Sequence, residues 1–168
     1  MSLFAWLQGC AHASDRMGMT LLFMNKSRDY IVVTRFDPDG QRGPTPGAVG
    51  VGGKAQMSFM PGDSQRGVPQ FLEVAWAENT PEFEARLQQI PKPAGVVPHE
   101  ELTRINQLLD KAYALRKRYT RRIDLTPILT PELLAQVRAN RSTTHLKLTV
   151  VFQGDQVNIT ATPEVWRK

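Results

Sequence analysis

The chain has 168 residues, of which 41% are hydrophobic and 22% are charged, a composition typical of one globular domain with a sizeable core. The formal net charge is +5, and the excess comes from one cluster: Arg116, Lys117, Arg118, Arg121 and Arg122. Nucleic-acid-binding proteins spread Lys and Arg over a face and add stacking aromatics, so we expect no nucleic-acid partner. No apolar run approaches the ~20 residues of a membrane-spanning helix.

Cys10 is the only cysteine, and Leu7-Gln8-Gly9 precedes it in the pattern of a bacterial lipobox. There the cysteine thiol receives diacylglycerol, the glycine lets the backbone enter the peptidase site, and the leucine fills an apolar pocket. A secretory leader also needs a basic start and roughly 7–15 apolar residues, which residues 1–9 lack. Two interpretations stay open: a native start upstream with lipidated Cys10, or Cys10 as a small hydrophobic or incidental residue.

We therefore assign residues 1–18 to a clipped lipoprotein signal and tether, and residues 19–168 to one domain. Two apolar runs, residues 19–24 and 30–36, predict strands that form a hairpin. The Gly- and Pro-rich residues 41–53 lack the Lys-Ser/Thr pair of a phosphate-binding loop, so we expect a mobile loop that leads into a Gly-rich strand. Residues 71–76 predict a third strand, whose core face has Leu72, Val74 and Trp76.

The segment Thr80-Pro81-Glu82 predicts a short helix, because it combines an N-cap, a proline at the first position and an acid in the first turn. Apolar residues at 3.6-residue spacing predict a longer helix over about residues 99–117. Arg116 and Lys117 would close it and complement its dipole, so part of the basic cluster could simply be a helix C-terminus.

Alternation over residues 119–125 predicts another strand, and a second Thr-Pro-Glu segment predicts a helix over residues 130–139. The strongest pattern is a final hairpin, with alternating apolar residues from 146 to 152, a turn at Gly154-Asp155, and a return strand that Pro163 ends. This order predicts an α+β fold: an antiparallel, sandwich-like β-sheet with two or three helices packed to one side.

Catalytic patterns are not visible in the sequence. His12, His99 and His145 have no neighbouring Cys, His or carboxylate at metal-ligand spacing. No Gly-x-Ser-x-Gly elbow occurs, and Cys10 has no plausible local base. We therefore expect no enzyme activity, no metal and no cofactor, and a binding function by default.

Several motifs together resemble a known group: the Cys10 lipobox, the two early strands, the Gly-rich stretch, Val74-Ala75-Trp76, the segment of residues 119–125 and the closing hairpin. The chain resembles small lipoproteins of uncharacterised domain type that are encoded beside type VI secretion lipase effectors. Some members are immunity proteins, which bind the cognate phospholipase in the periplasm and block it. The resemblance implies a periplasmic protein, and Ala11 after the cysteine suggests an outer-membrane lipid anchor as the only membrane attachment.

The simplest inhibition would be steric, by an element placed in or across the lipase cleft. Arginine is common at interface hot spots and pairs bidentately with carboxylates. Our candidates for partner contact are therefore Gln41, Arg42, Arg116, Arg118, Arg121 and Arg122. For any single arginine, a solvated patch or an attraction to anionic lipid is an alternative. For the whole protein, the alternatives are a structural or accessory envelope lipoprotein and, more distantly, a cytosolic nucleic-acid-binding protein.

Overall fold

The structure is a computed structural model that describes residues 17–59 and 68–166. Cys10 and its lipobox lie outside these residues. In chain order the elements are β1 (Met19–Asn25), β2 (Ile31–Pro38), β3 (Gly47–Val49), β4 (Lys54–Phe59), β5 (Phe71–Glu78), α1 (Pro81–Gln88), α2 (His99–Tyr113), β6 (Lys117–Asp124), α3 (Pro131–Ala139), β7 (Thr144–Gln153) and β8 (Gln156–Val165). They form two four-stranded sheets, which confirms the predicted α+β, sandwich-like fold.

The first sheet has the order β4-β1-β7-β8 and the second has the order β3-β2-β5-β6. All strand pairs are antiparallel except β1 with β7, which run parallel with Met19 opposite Leu146. The predicted hairpin of β1 with β2 is wrong, because the two strands lie in different sheets. Their connection is short, and such a connection can cross between stacked sheets, ~10 Å apart, as readily as it can turn within one.

The core lies between the inner faces of the two sheets. Leu72, Val74 and Trp76 of β5 are buried, as predicted. The Trp76 ring meets Phe152 of β7 with centroids 5.2 Å apart, and its indole N–H donates to the Gly154 carbonyl at 3.1 Å. One tryptophan therefore joins the two sheets by packing and by a hydrogen bond.

Both Thr-Pro-Glu segments begin helices as predicted, since Thr80 and Thr130 accept hydrogen bonds from Phe83 N and Leu133 N. Helices α1 and α2 pack on each other around a small core of their own: Phe83, Ile90 and Ala112. Helix α3 instead packs on the main core, where Val137 is buried. No helix within the described residues is long and apolar enough to cross a membrane.

Two predicted boundaries are wrong, and one strand was not predicted. Helix α2 ends at Tyr113 rather than near Lys117, because Lys117 begins β6 opposite Glu78; the basic cluster is therefore not a helix C-terminus. The stretch after the Gly-rich segment forms β4, which was not predicted. Pairing also continues past Pro163, because the hydrogen bond from Trp166 N to Thr143 O extends the β7–β8 ladder.

A buried polar group lies on the outer face of the first sheet. His145 is 1% exposed, stacks on Trp166 with centroids 4.8 Å apart, and lies so close to Gly18 that a Cβ there would be 2.5 Å from the ring. Its strand neighbour Glu164 binds Lys147 at 2.6 Å. Burial lowers the pKa of His145, and the charge of Glu164 offsets this only in part.

This burial predicts a loss of stability in mild acid. The pKa of His145 is lower folded than unfolded, so the folded state resists protonation, and stability falls as the pH drops below the unfolded pKa of about 6.5. Urea unfolding should show a lower free energy at about pH 5.5 than at about pH 7.5. The pKa of Glu164 is also lowered, mainly by its hydrogen bond with Lys147, so Glu164 stays ionised across this window. A His145→Gln variant with an equal pH dependence would contradict the assignment.

The joining role of Trp76 predicts a specific cost. Trp76→Phe removes both the indole volume and the donor to Gly154, so urea unfolding should show a loss of about 2 kcal/mol. The matched change Trp166→Phe affects a half-buried ring and should cost less than about 1 kcal/mol. Equal losses in the two variants would show that Trp76 has no special role.

Candidate functional site

Strand β6 forms one edge of its sheet and pairs with β5 without a register break. Since Trp76 of β5 faces the core, its partner Tyr119 lies on the inner face, and so does Arg121. Arg118 and Arg122 lie opposite Ala77 and Glu73 and therefore share the outer face. The alternation of β6 thus divides the predicted arginines between two faces.

A groove of about 640 Å³ lies where α2 ends beside the outer face of β5 and β6. Its floor includes Ala75 and Ala77, whose small side chains leave the space open. Tyr113 lines it from the end of α2, and Arg118 lines it from β6. The remaining lining residues are Thr34, Trp76, Asp110, Arg116, Tyr119 and Thr120.

Arg116 is held in place by aromatic rings. Its guanidinium carbon lies 4.3 Å from the Phe83 centroid and 4.8 Å from the Tyr113 centroid, and the two rings stack on each other at 5.9 Å. Such contacts contribute about 0.5–2 kcal/mol, more when the cation is desolvated. The Nε atom is buried without a hydrogen-bond partner among the described residues. Arg116 is thus fixed at the groove, and it has no ion pair with any of the described residues.

Arg118 is exposed and has no ion pair or hydrogen bond with any residue in the described ranges. With Arg116 it supplies two positive charges to the groove, against the single carboxylate of Asp110 in the lining. An uncompensated pair of arginines beside a tyrosine can bind a carboxylate or another planar anion.

The other two arginines of the cluster already have partners within the chain. Arg121 donates to the Thr120 carbonyl at 3.0 Å and to the Asp155 carbonyl at 2.9 Å, and also pairs with the Asp155 carboxylate at 3.7 Å. Arg122 lies 3.7 Å from the Phe71 ring centroid and 3.8 Å from the Glu73 carboxylate. Of the four arginines in the cluster, Arg121 and Arg122 therefore have carboxylate partners. Arg116 and Arg118 have none among the described residues.

Gln41 and Arg42 are exposed residues of the loop after β2. Arg42 lines a second depression of about 540 Å³ with Arg35 and Asp37, and Thr34 borders both depressions. The two predicted regions are thus neighbours on one side of the molecule, but Gln41 and Arg42 are not part of the groove itself.

Tyr119 connects the first residues of β6 to two side chains of β5. Its hydroxyl donates to Glu78 Oε2 at 3.2 Å, and its ring meets Trp76 with centroids 5.2 Å apart. Burial, together with the charge of Glu78, raises the pKa of Tyr119, so the hydroxyl remains a donor at neutral pH. This contact positions the neighbouring Arg118 and Thr120 at the groove.

Sequence analysis did not identify Asp110, Tyr113 or the alanine floor as site residues. The period of α2 would place Tyr113 one helical turn after Asp110, but only the paired register of β5 and β6 shows what faces them. Within residues 17–59 and 68–166, no three His, Cys, Asp or Glu side chains are grouped so that they could hold a metal ion.

The chain matches no protein-family model, no curated protein and no solved structure. The class of protein that the structure defines is a two-sheet α+β sandwich with a basic groove on an outer sheet face.

Because the two groove arginines have different surroundings, we expect their alanine variants to differ in free energy of unfolding. Arg116→Ala removes the contacts with Phe83 and Tyr113, so urea unfolding should show a loss of about 1 kcal/mol. Arg118→Ala removes no contact within the described residues and should stay within about 0.5 kcal/mol of the wild type. A larger loss for Arg118→Ala than for Arg116→Ala would contradict the described geometry.

Proposed function

We propose that this protein is a periplasmic immunity lipoprotein that binds a secreted type VI lipase or phospholipase effector and blocks it sterically. In this proposal, acylation of Cys10 anchors the protein to the outer membrane, and the groove beside β6 receives an acidic element of the effector. A lipid anchor with several acyl chains would hold the inhibitor at the surface where a phospholipase acts, and would raise its local concentration there.

The observation that supports partner binding is the uncompensated charge of Arg116 and Arg118 at one groove. Burying a charged group without a partner is costly, so a partner that covers this surface must supply carboxylates or leave water in place. Arginine and tyrosine are also the side chains most enriched at interface hot spots. Tyr113 is 39% exposed and thus offers a rigid aromatic surface beside the two guanidinium groups.

Preorganisation strengthens this argument. Arg116 is already held by Phe83 and Tyr113, so binding costs little additional side-chain entropy there. Arg118 is exposed, and a charge in that position mainly accelerates the encounter with an acidic partner. We therefore expect binding to weaken as the salt concentration rises.

The test is co-expression with the candidate lipase, which is the neighbouring gene product that has a Gly-x-Ser-x-Gly nucleophile elbow, directed to the periplasm. The wild-type chain should prevent killing, and the purified proteins should bind by calorimetry. Arg118→Glu should weaken binding at least tenfold, because it places like charges at the interface. Arg104→Glu is the matched control, since it makes the same charge change at an exposed α2 position outside the groove lining.

Unchanged killing in the presence of the wild-type chain would reject the immunity proposal and favour an accessory envelope lipoprotein. Equal losses of affinity in Arg118→Glu and Arg104→Glu would reject the groove as the binding site. Mass spectrometry of the membrane fraction tests the anchor separately, because an acylated Cys10 adds the mass of its lipid to the mature N-terminal peptide.

A further inference from the structure

Strand β6 has an open edge, and this edge adjoins the groove. It pairs with β5 at every position, from Asp124 opposite Phe71 to Lys117 opposite Glu78. It has no proline, and no bulge interrupts it. No other element within the described residues pairs with its outer side. A regular unpaired edge of this length is a template for another strand.

The register of β6 shows which of its backbone groups point to the free edge of the sheet. The hydrogen bond from Leu125 N to Gln70 O continues the β5–β6 ladder, so the N–H groups of alternate residues, Tyr119 among them, point toward β5. The N–H and C=O groups of Arg118, Thr120 and Arg122 therefore point to the free edge. The hydrogen bond that the Thr120 carbonyl accepts from the Arg121 side chain agrees with this orientation.

The neighbouring edges are less open. Strand β3 spans only Gly47–Val49. On β8, the bond from Trp166 N to Thr143 O places the backbone nitrogen of Pro163 at the free edge, where proline removes a donor. Helix α3 also contacts β8. The fourth edge strand, β4, has six residues. Among the described edges, β6 with its eight residues therefore offers the longest uninterrupted row of backbone donors and acceptors.

The charges of β6 disfavour a second copy of the same strand. In antiparallel self-pairing, one extended register places Arg118 opposite Arg122 in two symmetric pairs; the next places Arg121 opposite Arg121, although it also brings Arg118 opposite Asp124. Like charges directly opposite each other are destabilising. The strand has four basic residues and one acidic residue, Asp124, so the edge is complementary to an acidic strand.

We propose that β6 accepts an extended acidic segment of a partner protein as an added antiparallel strand. Carboxylates opposite Arg118 and Arg122 would pair with them on the outer face, and a lysine would suit the position opposite Asp124. The groove beside Arg118 would then receive the side chains at the end of the added strand. This inference rests on the proposed function, since it specifies how the effector would engage the same face.

Arg121 sets a condition on this binding. In the free protein its guanidinium donates a hydrogen bond to the Thr120 carbonyl. This carbonyl can therefore accept from an added strand only after that hydrogen bond breaks. The outward groups of Arg118 and Arg122 need no such exchange. Strand addition should therefore begin at Arg118 or at Arg122, on either side of Thr120, and then extend past Thr120.

The test uses the full chain and a synthetic peptide, Lys-Val-Glu-Thr-Thr-Val-Glu with blocked ends. Amide hydrogen exchange, followed by NMR, should slow at least tenfold at Arg118, Thr120 and Arg122 when the peptide is bound. The amide of Tyr119 is already bonded to β5 and should change little. A control peptide with both glutamates replaced by lysine should bind at least tenfold more weakly.

Thr120→Pro removes an outward donor while leaving the β5 ladder intact, and it should weaken peptide binding at least tenfold; Thr120→Val keeps that donor and should not. If Thr120→Pro does not fold, the exchange pattern of the wild-type chain decides. Peptide binding without slower exchange at the three outward amides would overturn strand addition. So would slower amide exchange that appears only when sedimentation analysis shows the chain to be a dimer.

Two outcomes separate this inference from the proposed function. If Arg118→Glu abolishes lipase inhibition while a folded Thr120→Pro retains it, partner binding stands and strand addition is wrong. If the peptide adds a strand but no lipase is inhibited, strand addition stands and the immunity proposal is wrong.

Discussion

The geometry of the groove depends on Trp76, one of the contacts between the two sheets. The indole packs against Phe152 of the opposite sheet and donates to the backbone at Gly154. On its own sheet it meets Tyr119, the residue between the groove-lining positions of β6. The same side chain thus fixes the separation of the sheets and the place of the edge strand, so the geometry of the groove is a direct consequence of core packing.

The basic cluster is not one functional unit. Arg121 binds Asp155 of the β7–β8 turn and so links the two sheets at this edge. Arg122 belongs to a charged array with Glu73 and Arg35 on the outer face. Arg118 differs because it is exposed and has no ion pair within the described residues. Arg116 differs because it lies against the rings of Phe83 and Tyr113 rather than against a carboxylate.

Local patterns predicted most elements, because helix caps and period-two alternation depend on residues that are close in sequence. The Thr80 and Thr130 caps and the buried face of β5 are examples. The pairing of strands was not predictable in this way: β1 joins β7 rather than β2, since only the assembled core selects the partner. Only the basic charge of the site was predictable from the sequence. The division of the β6 arginines between the two faces of the sheet depends on the β5–β6 register.

The parallel pairing of β1 with β7 has a consequence for how the chain reaches its native state. Met19 lies opposite Leu146, so the centre of the first sheet is made from the two ends of the described chain. Contacts between such distant segments slow folding. During synthesis β1 must therefore wait, with one side unpaired, until β7 (Thr144–Gln153) has been made.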